Sequence, residues 1–353
     1  MFVVTLIIFL LILGLLIFVH EGGHFIAAKL SGIKVEEFGM GFPPRIFGVK
    51  RGETIYSLNW IPLGGFCKML GEEDPSEPRS FASKRPSVRL AVLAAGPFMN
   101  AILPIILLTI AFMVPRQVEV GKVVIEQVAP DSPAAVAGIA PGDTLLTING
   151  HTIRNIGDVI YDINLDLGTK LTLELEDAVG NQKTATVVPR WNPPPGEGAV
   201  GIQMSMVPTG NITEHDPFWK AVPKSVSSIR DTFVLMGNQI ASWVAQKKAP
   251  EVTGPVGIFQ LTGEVRTAGP SYLLQFIAFI SMNLAIVNIL PLPALDGGRI
   301  AFVFLELARR GKRVSPRTEG LIHYIGFVML IALILVISYF DIVRVIRGET
   351  LAP

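Results

Sequence analysis

His20, Glu21 and His24 lie in the run His20-Glu21-Gly22-Gly23-His24, and on a helix the two histidines, four residues apart, share one face. Two imidazoles so placed can grip one metal ion, while Glu21, one position on, can hold a water on that metal. Such a set does hydrolysis. The same pattern also occurs by chance on solvated helix faces, so its surroundings decide between the readings. Here Phe2 to Val19 is almost wholly apolar, and Phe25-Ile26-Ala27-Ala28 follows the motif. The motif therefore sits at membrane depth, where a charged residue costs roughly 2.5 to 3.5 kcal/mol on insertion scales and ionisable groups mark function. Gly22 and Gly23 each cost a helix roughly 1 kcal/mol relative to alanine. Close approach of a neighbouring helix or of a substrate backbone would account for them.

Half of the 353 residues are hydrophobic and 17% are charged, with a positive mean hydropathy. That is a membrane protein with a modest soluble part. A net charge of +1 gives no basis for a nucleic-acid partner. The single cysteine, Cys67, reads as a small structural residue and excludes both an intrachain disulfide framework and a cysteine-rich metal site. Histidine and carboxylate remain as ligands.

The first apolar segment has no Lys or Arg before it, no small-residue cleavage site after it, and contains the motif, so it is read as a retained helix. Val88 to Val114, Tyr272 to Leu290 and Leu321 to Phe340 are also long enough to span. Four spans put both termini on one side. Ten Lys or Arg between Lys29 and Arg89, and Arg299, Arg309, Arg310, Lys312, Arg313 and Arg317 after the third span, assign both loops to the cytoplasm. The N-terminus and the region from Pro115 to Pro270 are then extracytoplasmic. At 1.5 Å per residue His20 lies about 27 Å along the helix from Phe2, near the cytoplasmic edge of the bilayer.

A hydrolytic zinc site has three protein ligands and one open position, so two histidines leave one ligand to find. The third span ends in Asn288-Ile289-Leu290-Pro291-Leu292-Pro293-Ala294-Leu295-Asp296-Gly297-Gly298, where prolines and glycines break the helix. Asp296 is the only carboxylate between Glu264 and Glu306. Alone it reads as a helix-terminal turn residue. Its depth, matching that of His20 and His24, makes it the candidate third ligand.

His-Glu-x-x-His on a first membrane helix, paired with Asn-x-x-Pro-x-Pro-x-Leu-Asp-Gly on a later one, resembles the site-2 protease family of intramembrane zinc metalloproteases, and specifically its bacterial regulator-of-sigma-E protease group. Gly96-Pro97-Phe98-Met99-Asn100 and the loop Phe38-Gly39-Met40-Gly41-Phe42-Pro43-Pro44 match as well, so the resemblance spans nearly the whole chain. It implies one zinc ion per chain on His20, His24 and Asp296, with Glu21 as general base. It also implies substrate-holding roles for Asn283, Asn288, Pro291 and Pro293, since a helical substrate must unwind before its carbonyls can be attacked. Interhelical hydrogen bonding is the other reading of the asparagines, and Asn100 invites both.

Thr54 to Trp60 and Gly65 to Met69 read as short strands turning at Pro62-Leu63-Gly64-Gly65. The resemblance implies a membrane-associated sheet there, whose edge can accept an unwound substrate as an added strand; a purely structural hairpin is the alternative. Between the second and third spans, strand-like Lys122 to Val128, Asp131-Ser132-Pro133-Ala134-Ala135, the Asn149-Gly150 turn, a helix from Asn155 to Leu165 and strands Lys170 to Glu176 and Lys183 to Val188 are similar to a PDZ domain. Val200, Gly201 and Ile202 would be its peptide-carboxylate segment. The domain either binds peptide or acts as a size filter. Phe218 to Val244 reads as a helix that lies on the outer membrane face or leads to the third span, with Trp219 and Trp243 suited to an interfacial position. His151, His215 and His323 read as structural or surface residues.

The fold expected is an α-helical polytopic membrane protein with four transmembrane helices and an inserted α+β PDZ-like domain. Its parts are an N-terminal membrane half (residues 1–114, with a β-loop at 35–70), the PDZ-like domain (115–207), an extracytoplasmic amphipathic linker (208–270) and a C-terminal membrane half (271–353). The function expected is zinc-dependent cleavage within single-span membrane-protein substrates pre-trimmed by another protease, such as an anti-sigma factor, or clearance of signal-peptide remnants, in the bacterial cytoplasmic membrane. A divalent-cation transporter and a non-proteolytic PDZ adaptor are the alternatives; Glu21 argues against the adaptor, and the scarcity of polar residues on the second and fourth spans argues against the transporter.

Overall fold

The computed structural model describes residues 2–247 and 252–347. Its described residues form two compact units, one of residues 2–111 with 252–347 and one of residues 112–247.

The first unit begins with α1 (Phe2–Leu30), followed by strands β1 (Val35–Arg51) and β2 (Thr54–Met69) and helix α2 (Pro86–Met113). In lipid every backbone group must be paired within the protein, which favours uninterrupted helices; α2 tolerates Pro97 and Pro104 within it. The strands join at a tight turn on Gly52, with Arg51 opposite Thr54. Thr54 to Asn59 pairs with Arg45 to Arg51, whereas Gly65 to Met69 pairs with Val35 to Met40, which also lies beside Ile55 to Leu58. The expected pair of short strands is thus one strand that changes partners near Pro62 to Gly65, where Gly64 has φ +109°. The glycine-rich stretch from Phe38 is itself a strand. Beneath this sheet Phe38, Cys67, Met69, Phe81, Val92 and Leu93 are buried together, so Cys67 is a core residue.

The second unit contains β3 (Arg116–Val128), α3 (Pro133–Val136), β4 (Thr144–Ile148), β5 (His151–Thr152), α4 (Ile156–Leu165), β6 (Leu171–Glu176), β7 (Gln182–Val187), β8 (Ile202–Glu214) and α5 (Phe218–Gln246). Its sheet runs β7-β6-β4-β3-β8, with β5 paired to β4. Asn149 and Gly150 both take positive φ, the turn that matches strand twist in a two-residue hairpin. Ser132 and Asn155 cap α3 and α4 through their side chains. Val123, Ile125, Leu145, Ile148, Leu171 and Leu173 form the core. Strand β8 continues beyond residue 207 because it pairs with β3 all the way to Glu214 opposite Arg116. Helix α5 belongs to this unit: Asn238 donates to the carbonyls of Asn164 and Leu165 at the end of α4, and Ser242 and Gln246 donate to that of Trp191.

The chain then completes the first unit with α6 (Pro255–Ala268), α7 (Pro270–Ile289), α8 (Asp296–Ala308) and α9 (Pro316–Ile346). Neither α6 nor α8 follows from the sequence reading, which treats them as linker and loop. Asp341 on α9, fully buried, accepts from the N–H groups of Gly254 and Gly257 and so caps α6. Among the described residues four helices, α1, α2, α7 and α9, are long and apolar enough to cross a membrane. The chain is a multi-pass integral membrane protein with an inserted β-sheet region.

Candidate metal centre

The last third of α1 carries His20, Glu21, Gly23 and His24, and α2 lies directly against it. A Cβ on Gly23 would run into the carbonyl of Ala95, and one on Gly96 would run into the His24 ring, 2.8 Å from Cδ2. Gly23 and Gly96 therefore let the helices touch, whereas Gly22 faces open space. On α2 the carbonyl of Val92 lies 2.8 Å from His24 Nδ1, and the Asn100 amide lies 3.2 Å from His20 Nδ1. Ser281 on α7 donates to the Asn100 carbonyl at 2.8 Å, tying the third span to the second.

Asp296 reaches the histidines from the break between α7 and α8. Pro291 and Pro293 cannot donate hydrogen bonds, so residues 290–295 form tight turns in place of a helix: Leu290 bonds to Val287, Leu292 to Leu290 and Leu295 to Leu292. The loop folds back over Gly297 and Gly298, where any side chain would strike the carbonyls of Leu290 and Leu292. That explains Asp-Gly-Gly at the start of α8. A buried ion pair, Arg89 to Glu306 at 2.5 Å with Arg313 on the second oxygen, fastens α8 to α2.

The donor atoms converge. His20 Nε2 is 3.0 Å and His24 Nε2 is 3.2 Å from Asp296 Oδ2, and the two nitrogens are 3.3 Å apart. Tetrahedral zinc with ligand bonds of about 2.0 to 2.1 Å needs donors roughly 3.3 Å apart, as here. Because Val92 accepts the His24 Nδ1 proton, His24 Nε2 presents a lone pair. If His20 is held in the same tautomer, its Nδ1–H needs an acceptor, and turning the Asn100 amide brings Oδ1 to it. Asn100 Oδ1 is otherwise buried without a partner, and the turn pairs it with the His20 Nδ1–H. Two lone pairs and a carboxylate facing one point suit a cation.

Glu21 is partly exposed beside this set, with the Cys67 backbone N–H on its carboxylate and Gly65 packed against its stem. The remaining expected site residues lie differently. Asn100 is fully buried against His20. Asn283 donates to Phe279 on its own helix, Asn288 is half-buried, Pro291 is exposed, and Pro293 packs on Gly326 of α9. In the other unit Val200 is part of the core, and Gly201, with φ +81°, already donates its N–H to Gly198 and accepts from Ala129. Ile202 opens β8 opposite Val128. Sequence reasoning missed Val92 and Ser281, whose contacts use a backbone carbonyl and a hydroxyl, and passed over His323, whose Nδ1 accepts from Ala294 N–H at 2.9 Å.

The model of peptidase family M50 matches residues 8–333. A Clostridium perfringens protein, named provisionally as a zinc metalloprotease, is 38% identical over 336 residues, covering 95% of this chain and 97% of that one. A similarly named Clostridium acetobutylicum protein is 35% identical over 96% of this chain and 97% of its own. The regulator of sigma-W protease RasP of Bacillus subtilis is 29% identical, with 98% of this chain and 99% of that one aligned. The chain belongs to peptidase family M50 and is an intramembrane zinc metalloprotease.

Proposed function

We propose that His20, His24 and Asp296 hold the zinc ion and that Glu21 is the general base for hydrolysis of a peptide bond inside the membrane. The observation that carries this reading is the convergence of three donor atoms, all within 4.8 Å, from helices far apart in sequence. Zinc held by this set would supply Lewis-acid polarisation of a peptide carbonyl and would make a water more acidic. Glu21 takes a proton from the attacking water and returns it to the leaving amine. Asn100 acts on His20 as an orienting partner. Asn283, Asn288, Pro291 and Pro293 flank the helix break, where an unwound substrate needs backbone partners.

The substrates are single-span membrane proteins already trimmed by another protease, anti-sigma factors among them; the Bacillus subtilis relative is named as a regulator of sigma-W protease. The protein resides in the bacterial cytoplasmic membrane with both termini extracytoplasmic, a reading supported by the Lys and Arg residues flanking the metal motifs. The inserted unit is a PDZ-like domain acting as a size filter. The occupied Gly201 amide and the buried Val200 favour that role over capture of a peptide carboxylate.

The test is cleavage of a panel of single-span substrates by purified chain in detergent, with Glu21→Gln beside wild type. The account expects the variant to retain zinc and lose turnover by on the order of 100-fold or more. Equal cleavage by both chains would remove Glu21 from the reaction.

A further inference from the structure

The loop that carries Asp296 is under an unusual constraint. Pro291 and Pro293 have no N–H, and the N–H groups of Leu290, Leu292 and Leu295 are paired within the local turns. The N–H of Ala294 is left over. Ala294 also has φ +73°, a backbone state that side chains other than glycine rarely adopt and that costs roughly 1 to 2 kcal/mol. In a membrane an unpaired N–H would add several kcal/mol more. His323, on α9, supplies the missing acceptor: its Nδ1 lies 2.9 Å from Ala294 N. Gly326, one turn further along α9, leaves room for Pro293, and the His323 ring packs against Phe302 and beside Gly298.

We propose that His323 is a positioning residue for the metal centre. Through its acceptor nitrogen it holds Ala294 in the left-handed state, and Ala294 lies two residues before Asp296. Release of this bond lets the loop relax toward ordinary backbone angles and draws the Asp296 carboxylate away from His20 and His24. Accepting from Ala294 leaves the ring proton on Nε2, which is buried without a partner. The polarity of the ring is therefore used at the loop. A histidine in an apolar span is costly, and this contact offsets part of that cost.

The inference rests on the zinc reading, and its test separates the two. Zinc affinity is measured by chelator competition on the full chain in detergent for wild type, His323→Leu and His323→Asn. Leucine fills the site without an acceptor, whereas asparagine places Oδ1 near the position of Nδ1. The leucine variant should lose affinity by on the order of 10- to 100-fold, with helix content unchanged, and asparagine should restore most of it. Wild-type affinity in the leucine variant, or an equal loss in both variants, overturns the positioning role while leaving the zinc reading intact. A wild-type chain that binds no zinc overturns both. Amide exchange in the unmodified protein gives a check that needs no variant: Ala294 must exchange as slowly as Leu295, and free exchange at Ala294 overturns the proposal.

Discussion

Gly96 lies against the imidazole of His24, so closely that a single added methyl would collide with the ring. The metal motif on α1 therefore depends on a residue of α2 that has no chemistry of its own. Gly96→Ala must push the ring aside or part the helices, at a cost of about 1 to 3 kcal/mol if the strain follows other overpacked sites. Cleavage should fall at least about tenfold, with zinc content falling in parallel while the circular dichroism of the chain stays the same. Both are measured on purified protein.

Asn100 separates orientation from substrate contact. Asn100→Leu removes the partner of His20 Nδ1 and should weaken zinc binding by on the order of 10- to 100-fold. Asn100→Asp keeps an oxygen acceptor and should retain zinc. A substrate-holding residue would instead raise KM and leave zinc affinity unchanged.

Much of the proposed metal centre was legible in the chain itself. Helical spacing pairs His20 with His24, and the shared depth of two broken or polar span ends selects Asp296. What stayed hidden depends on contacts distant in sequence. Gly297 and Gly298 read as helix breakers, yet they begin α8, because their missing side chains admit the carbonyls of the preceding loop. His323 has its partner 29 residues away, so no local spacing reveals it. The cost of a polar residue at membrane depth, which singles out His20, was the available signal for His323 as well. Helix α6 is short, and its cap comes from Asp341 on another helix. The long strand β1 was obscured by glycines and prolines that read as loop.

The inserted unit carries its own pH dependence. Burial pushes the Glu214 carboxyl up, but the guanidinium groups of Arg116 and Arg154 outweigh it and hold Glu214 below the usual carboxylate range. A carboxyl whose folded pKa is depressed contributes stability above its unfolded pKa, near 4.3, and loses it as pH falls through the folded value. Amide protection in β3 and β8, corrected for intrinsic exchange, should therefore decline below about pH 4.3. In Glu214→Gln that acid-side decline should flatten and protection at neutral pH should be lower. An unchanged profile would mean that the two arginines do not stabilise the fold through this carboxylate.

X-ray absorption at the zinc edge on the Glu21→Gln chain is the most direct test of the ligand set, because it reports the atoms around the ion in the absence of turnover. The account predicts about one zinc per chain with two imidazoles and oxygen at roughly 2.0 to 2.2 Å, lost when Asp296 is replaced by alanine. A sulfur neighbour at roughly 2.3 Å, which in this ligand chemistry would implicate Cys67, or a spectrum unchanged by Asp296→Ala, would contradict it.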